Sequence, residues 1–291
     1  MSLDISFIGI LIGSIMASSV PLILAASGEL ITERSGVLNL GVEGMMIIGA
    51  ISGFALMVIT DNLFIAIIGS MLSGVIISLI FGFLTQSLLT NHVATGLALT
   101  IFGIGLSSML GKEYIGTPID GLSPWFFVIF SFAIVFIISY FFYKTKAGLI
   151  LRAVGESHNS AHALGYSVIK IRFLSILFGG SMCALAGSYI SICYAPMWQE
   201  GMTAGRGWIA LALVVFATWK PERVLIGAYI FGVVTILQMN LQALGLRFPG
   251  QFFSMAPYLA TIVVLVLISN NKLRIKLSAP ASLTIPFYKG R

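Results

Sequence analysis

The chain has 291 residues, 58% of them hydrophobic and 9% charged, with a net charge of +6 and a mean hydropathy of +1.04. Soluble domains carry about 25% charged residues, so these values exclude an ordinary water-soluble fold. The basic excess lies in short intervals between apolar runs, where it orients membrane spans, and this argues against a nucleic-acid partner.

The chain order predicts about nine transmembrane helices, eight to ten allowing for the edges, in an all-α polytopic protein. The first run, Ile5–Ala26, has Asp4 and no basic start before it, so we read it as a retained span and not a cleaved leader. Runs follow at Val37–Ile59, Leu63–Leu84, Val93–Leu110 and Pro124–Tyr143, then at Phe173–Tyr194, Trp208–Trp219, Val224–Leu241 and Phe252–Ile268. Cys183 and Cys193 share one run, ten residues or about 15 Å apart along a helix, too far to bridge.

With the N-terminus outside and every run crossing, 13 of the 16 Lys and Arg face the cytoplasm, and only Lys112, Arg206 and Arg247 do not. The same count puts the C-terminus inside. Trp208–Trp219 is short, at about 18 Å of helix, and crosses only with added length from 201–207. In Val37–Ile59 the start is broken by Asn39, Gly41, Glu43 and Gly44. Interrupted spans in corresponding halves are one mark of an inverted repeat, which remains open here.

Glu43 is the one carboxylate inside an apolar run, and it must face protein, water or a helix terminus. It either stabilises a helix start or touches substrate or a coupling proton. Gln238 and Gln242, four residues apart, either line a polar path or bond neighbouring helices. Small residues at Gly49 and Gly53, and at Gly103, Ser107 and Gly111, are spaced for close helix packing.

Residues 144–172 form the longest polar interval, whose pattern fits a short amphipathic element on the cytoplasmic surface, either an ordinary solvated loop or a docking element for a cytoplasmic partner. Leu149, Ala153 and Val154 are expected on one face. Within this interval His158 and His162 have no third ligand nearby, so they read as surface polar residues and not a metal site. Catalytic patterns are absent, and so is a phosphate-binding loop, so any ATP hydrolysis belongs to another subunit.

Three segments carry a family resemblance. Residues 28–50, GELITERSGVLNLGVEGMMIIGA, resemble the permeases of bacterial ABC importers for ribose-like sugars and nucleosides, and among these the purine-nucleoside branch. Residues 148–165, GLILRAVGESHNSAHALG, resemble that family's ATPase-docking loop, with Ser157-His158-Asn159 where proline is usual, and 203–232 resemble its late membrane segment. The resemblance implies a single permease domain over 1–291, of the type II-like importer class, in the cytoplasmic (inner) membrane. It implies a partner ATPase carrying ATP and Mg, a second permease subunit and an extracytoplasmic substrate-binding lipoprotein. It places Arg152, Ala153, Gly155, Glu156 and Gly165 at the ATPase contact, and Asn39, Glu43 and Arg206 near the pathway, to which Gln238 is added from its position. A ribose or simple-sugar permease is the alternative, and an ion-coupled transporter using Glu43 ranks behind it.

Overall fold

In the computed structural model, residues 5–243 and 278–288 are described, with five isolated positions between them. Ten α-helices make up the first part. They are α1 (Ile5–Arg34), α2 (Val42–Thr60), α3 (Leu63–Gly82), α4 (His92–Gly111), α5 (Trp125–Lys144), α6 (Lys146–Glu156), α7 (His158–Ala163), α8 (Val168–Tyr189), α9 (Arg206–Phe216) and α10 (Pro221–Ala243). Single π turns, Phe83–Ser87 and Ile190–Tyr194, extend α3 and α8. Among the described residues, seven helices are long and apolar enough to cross a membrane. They correspond to seven of the nine expected runs. The eighth run is the 11-residue α9, and the ninth, Phe252–Ile268, lies outside the described residues.

Local chemistry sets the ends of several helices. The side chains of Asn62 and Asn91 each accept two backbone N–H bonds at the starts of α3 and α4, and Thr145 and Ser157 do the same service for α6 and α7. In a bilayer such bonds matter because unpaired backbone groups find no water.

The long helix α8 runs through the centre against α1, α2 and α3. Small residues make this possible. A Cβ on Gly49 of α2 would collide with Ala184 of α8, and one on Gly187 would collide with the Met46 carbonyl. Gly53 meets Ser188, Gly103 meets Gly44, and Gly111 meets the Trp198 ring, so the small-residue spacing does serve close packing. Polar side chains lock the approach, Ser70 Oγ donating to the Ala184 carbonyl and Ser191 Oγ to that of Ala50 at 2.9 and 2.8 Å. The outer faces of α3, α4 and α5 instead expose Ile68, Leu72, Ile101, Phe102, Ile129 and Phe136, a surface suited to lipid. Both Cys183 and Cys193 are free.

Candidate functional site

The chain leaves α1 at Arg34, turns through Gly36 at φ +93°, and folds back along α1 before α2 begins. Asn39 shapes this reversal. Its backbone N–H donates to Glu29 Oε1 at 2.9 Å, and its own Oδ1 accepts from Gly41 N at 2.9 Å. The broken start of the second run is therefore a built loop, with Asn39 wholly buried.

Glu43, in the first turn of α2, sits against the first turn of α9. The Thr203 hydroxyl and Gly205 N–H donate to its Oε1, the latter at 2.8 Å, and Gly207 N–H donates to Oε2 at 2.6 Å. Both oxygens are used, and the carboxylate faces the positive end of α9 as well as that of its own helix. A side chain on Gly207 would run into the Glu43 backbone, so glycine is needed for this approach. Arg206, one residue earlier, lays its guanidinium over the Tyr194 ring at 5.3 Å and donates to the Met202 carbonyl at 3.1 Å. The geometry thus brings Asn39, Glu43 and Arg206 to the region where α2 and α9 start. Gln238 lies apart, half-buried on α10. The stretch 201–205 adds length to the eighth run as turns and not as helix.

At its other end α9 enters a clamp that sequence reasoning missed. Trp219, at φ +55°, donates its indole N–H to Glu33 Oε2, and its carbonyl accepts from Arg34 Nε and Nη2 at 3.1 and 3.0 Å. Arg34 Nη1 also meets Glu156 Oε1 at 3.7 Å, which ties α1 and α9 to the end of α6. The expectation that Glu43 is the sole carboxylate within a membrane run needs correction. Helix α1 continues past Ala26 to Arg34 and buries Glu29 and Glu33, one turn apart. Their i, i+4 spacing on an extended first helix was the available signal.

The polar interval 144–172 folds as α6, α7 and the first turn of α8. Helix α6 buries Gly148, Leu151, Val154 and Gly155 and exposes Leu149 and Ala153, so the expected grouping of Val154 with those two is corrected. Arg152 is half-buried, its guanidinium 5.5 Å from the centre of the Tyr143 ring. Gly155 is packed where a Cβ would strike the Arg34 carbonyl. Glu156 is half-exposed. Gly165, at φ +88° with open space around it, closes α7: its N–H bonds to the His162 carbonyl at 2.8 Å and that of Tyr166 to Ala161 at 3.1 Å.

Residues 278–288 pack under this loop. Arg172, fully buried at the start of α8, donates to the carbonyls of Ser35, Ile285 and Ser282 at 3.2, 3.0 and 3.4 Å. Ser282 N–H bonds the Gly155 carbonyl at 2.8 Å, and Phe287 lies edge-on to both His158 and His162. His158 is therefore buried, not the surface residue expected. Burial, and secondarily the Arg172 charge, holds its imidazole below the ordinary histidine range. Among the described residues no group of acidic, His or Cys side chains could hold a metal ion.

A multi-pass bundle with two internal helix starts and a polar loop capping one end is the architecture of a membrane permease. Residues 11–269 match the family described as branched-chain amino acid transport system / permease component, and the chain belongs to that family. Two relatives carry substrate names. The chain is 34% identical over 275 residues to TsgC13 of Haloferax volcanii, provisionally named a glucose ABC transporter permease, covering 80% of this chain and 84% of that one. It is 28% identical over 254 residues to NupQ, the guanosine ABC transporter permease of Bacillus subtilis, covering 78% of each. A solved inward-facing ABC transporter, described as of metal-chelate type, shares the fold with a TM-score of 0.50 and 18% identity, over 86% of this chain and 85% of that one. This chain is an ABC transporter permease, a transport subunit, and the ion-coupled reading of Glu43 is set aside.

Proposed function

We propose that the chain forms the membrane pathway of an ATP-driven importer for nucleosides, purine nucleosides such as guanosine above all. The observation that carries the coupled-transport part of this reading is the chain of contacts from the α6–α7 loop to the paired helix starts. It runs from Glu156 through Arg34 and Trp219, along α9, to Glu43.

In this reading α6 and α7 dock a separate ATPase, which holds ATP and Mg. Leu149, Ala153, Leu164 and Tyr166 are exposed there and offer an apolar contact face, with Arg152 and Glu156 beside it. Gly155 and Gly165 act from within the loop, the first by close packing and the second by its positive φ. Closure of the ATPase moves the loop, and the contacts to α1 and α9 convert that motion into a rigid-body change of the pathway. A second permease, identical or homologous, completes the pathway, and a lipid-anchored binding protein delivers substrate at the opposite end. The docking loop and residues 278–288 share one end of the bundle, which fits a cytoplasmic C-terminus in a cytoplasmic (inner) membrane.

The similarity to a guanosine permease supports the nucleoside reading, and the similarity to one named for glucose supports simple sugars as the second. Uptake of labelled guanosine and of labelled glucose and ribose by cells expressing the whole transporter separates them. Guanosine uptake that cold nucleosides compete and cold sugars do not is the expected result. Competition by sugars alone rejects the nucleoside reading.

A further inference from the structure

A groove separate from the helix starts and from the docking face lies between α1, α5, α6 and α8. It encloses about 420 Å³ and is walled by Ile134, Ile138, Phe141, Leu151, Ile171 and Phe178. At its lips Ile137 and Leu174 are 56% and 67% exposed, so it opens sideways, toward the lipid. Ser175, the one hydroxyl in the lining, is already bonded to the Ile171 carbonyl at 2.9 Å. Nothing inside the groove would hold a polar ligand.

Its rim is different. Lys144 follows Phe141 by three residues and Ile137 by seven, and Lys170 precedes Leu174 by four and Phe178 by eight. Those spacings put both lysines on the helical stripes that face the groove. Both stand at the same end, because α5 ends there and α8 begins there, and Lys146 adjoins Ala147 in the groove's floor. The carboxylates nearby have other partners, Glu156 with Arg34 and Glu222 with the Ser139 hydroxyl.

We propose that this groove binds an anionic phospholipid, with an acyl chain along the apolar wall and the phosphate between Lys144 and Lys170. A hydrocarbon slot closed at the membrane surface by two cations matches the two halves of such a lipid. The face of a second permease would need the slot but not the cations. Since Ala147 and Leu151 belong to α6, the lipid braces the docking helix from the membrane side.

The test uses the assembled transporter, extracted in mild detergent and examined by native mass spectrometry with lipid analysis. Phosphatidylglycerol is expected to be retained in preference to phosphatidylethanolamine. Each lysine near an anionic headgroup weighs roughly fivefold in affinity, so the double variant K144Q/K170Q is expected to retain roughly thirtyfold less. L174W, which blocks the mouth without changing charge, is also expected to lose the lipid, and K112Q is expected to keep it. In nanodiscs, substrate-stimulated ATP hydrolysis should fall when phosphatidylcholine replaces phosphatidylglycerol, and K144Q/K170Q should not respond to the exchange. Equal retention of zwitterionic and anionic lipid, retention unaffected by either variant, or a photo-crosslinker at Ile137 capturing the second permease would each overturn the proposal.

Discussion

At the scale of single residues, the most informative side chain is Glu43. An ionisable group among apolar neighbours must be paired, and here three donors from the start of α9 meet its two oxygens. Its role at a helix start was legible from its place early in a broken run. That the helix belongs to a distant part of the chain was not. Glu43→Ala leaves two buried donors and one half-buried donor unmatched and should destabilise the subunit by about 3 kcal/mol. Glu43→Gln, which turns an amide toward the Gly207 N–H, should fall between. Thermal unfolding in detergent orders the three proteins. Gly165 poses the opposite problem, since its surroundings are open and only its backbone is special. A left-handed conformation costs an L-residue about 1–2 kcal/mol, so Gly165→Leu should displace α7 and lower coupled uptake while membrane insertion stays normal. Gly165→Asn should be tolerated better. Uptake assays paired with membrane fractionation check both, and unchanged uptake in Gly165→Leu would count against the docking role.

At the scale of elements, the polar interval 144–172 shows how far a helical pattern reaches. The amphipathic character of 144–172 was readable, yet the choice of buried face was not, because Leu149 and Leu151 are equally apolar and only packing against α1, α5 and α8 selects Leu151. Both histidines looked like solvated residues, and His162 is exposed as expected, but Phe287, more than 120 positions away, lies against His158, which is buried. This has a consequence for pH. His158 has its folded-state affinity for protons lowered, so the unfolded or undocked state binds protons more readily. The docked tail is thus most stable where both states are neutral, and it loosens as pH falls below the ordinary histidine value of about 6.5. The protection factors of residues 279–287, with the intrinsic pH dependence of amide exchange divided out, should fall between about pH 7 and 5, and His158→Gln should flatten that dependence.

At the scale of the whole molecule, the clamp of Glu33, Arg34, Trp219 and Glu156 links the α6–α7 loop to α1 and the end of α9. The Arg34–Glu156 pair is half-exposed on its carboxylate side and contributes little to stability. Its value in the proposed cycle lies in connecting moving parts. Arg34→Gln and Trp219→Phe should therefore lower substrate uptake per ATP hydrolysed severalfold while the complex still assembles and keeps its basal hydrolysis. Uptake and hydrolysis measured on the same proteoliposomes decide it, and a parallel fall of both would point to simple misassembly.

Composition and run length alone determined that this chain lives in a bilayer, roughly how many times it crosses, and which interval is a polar surface element. The cause is the high cost of placing charge or bare backbone in hydrocarbon, which leaves a coarse pattern in any membrane sequence. The resemblance in three short segments pointed to the transporter class. Only the tertiary structure decided what the buried polar groups do: Glu43 against α9, Glu33 against Trp219, and Arg172 against residues 282–285. Those pairings join residues about 110 to 190 positions apart, and no local periodicity encodes them, because each depends on two helices arriving at the same place in the packed bundle.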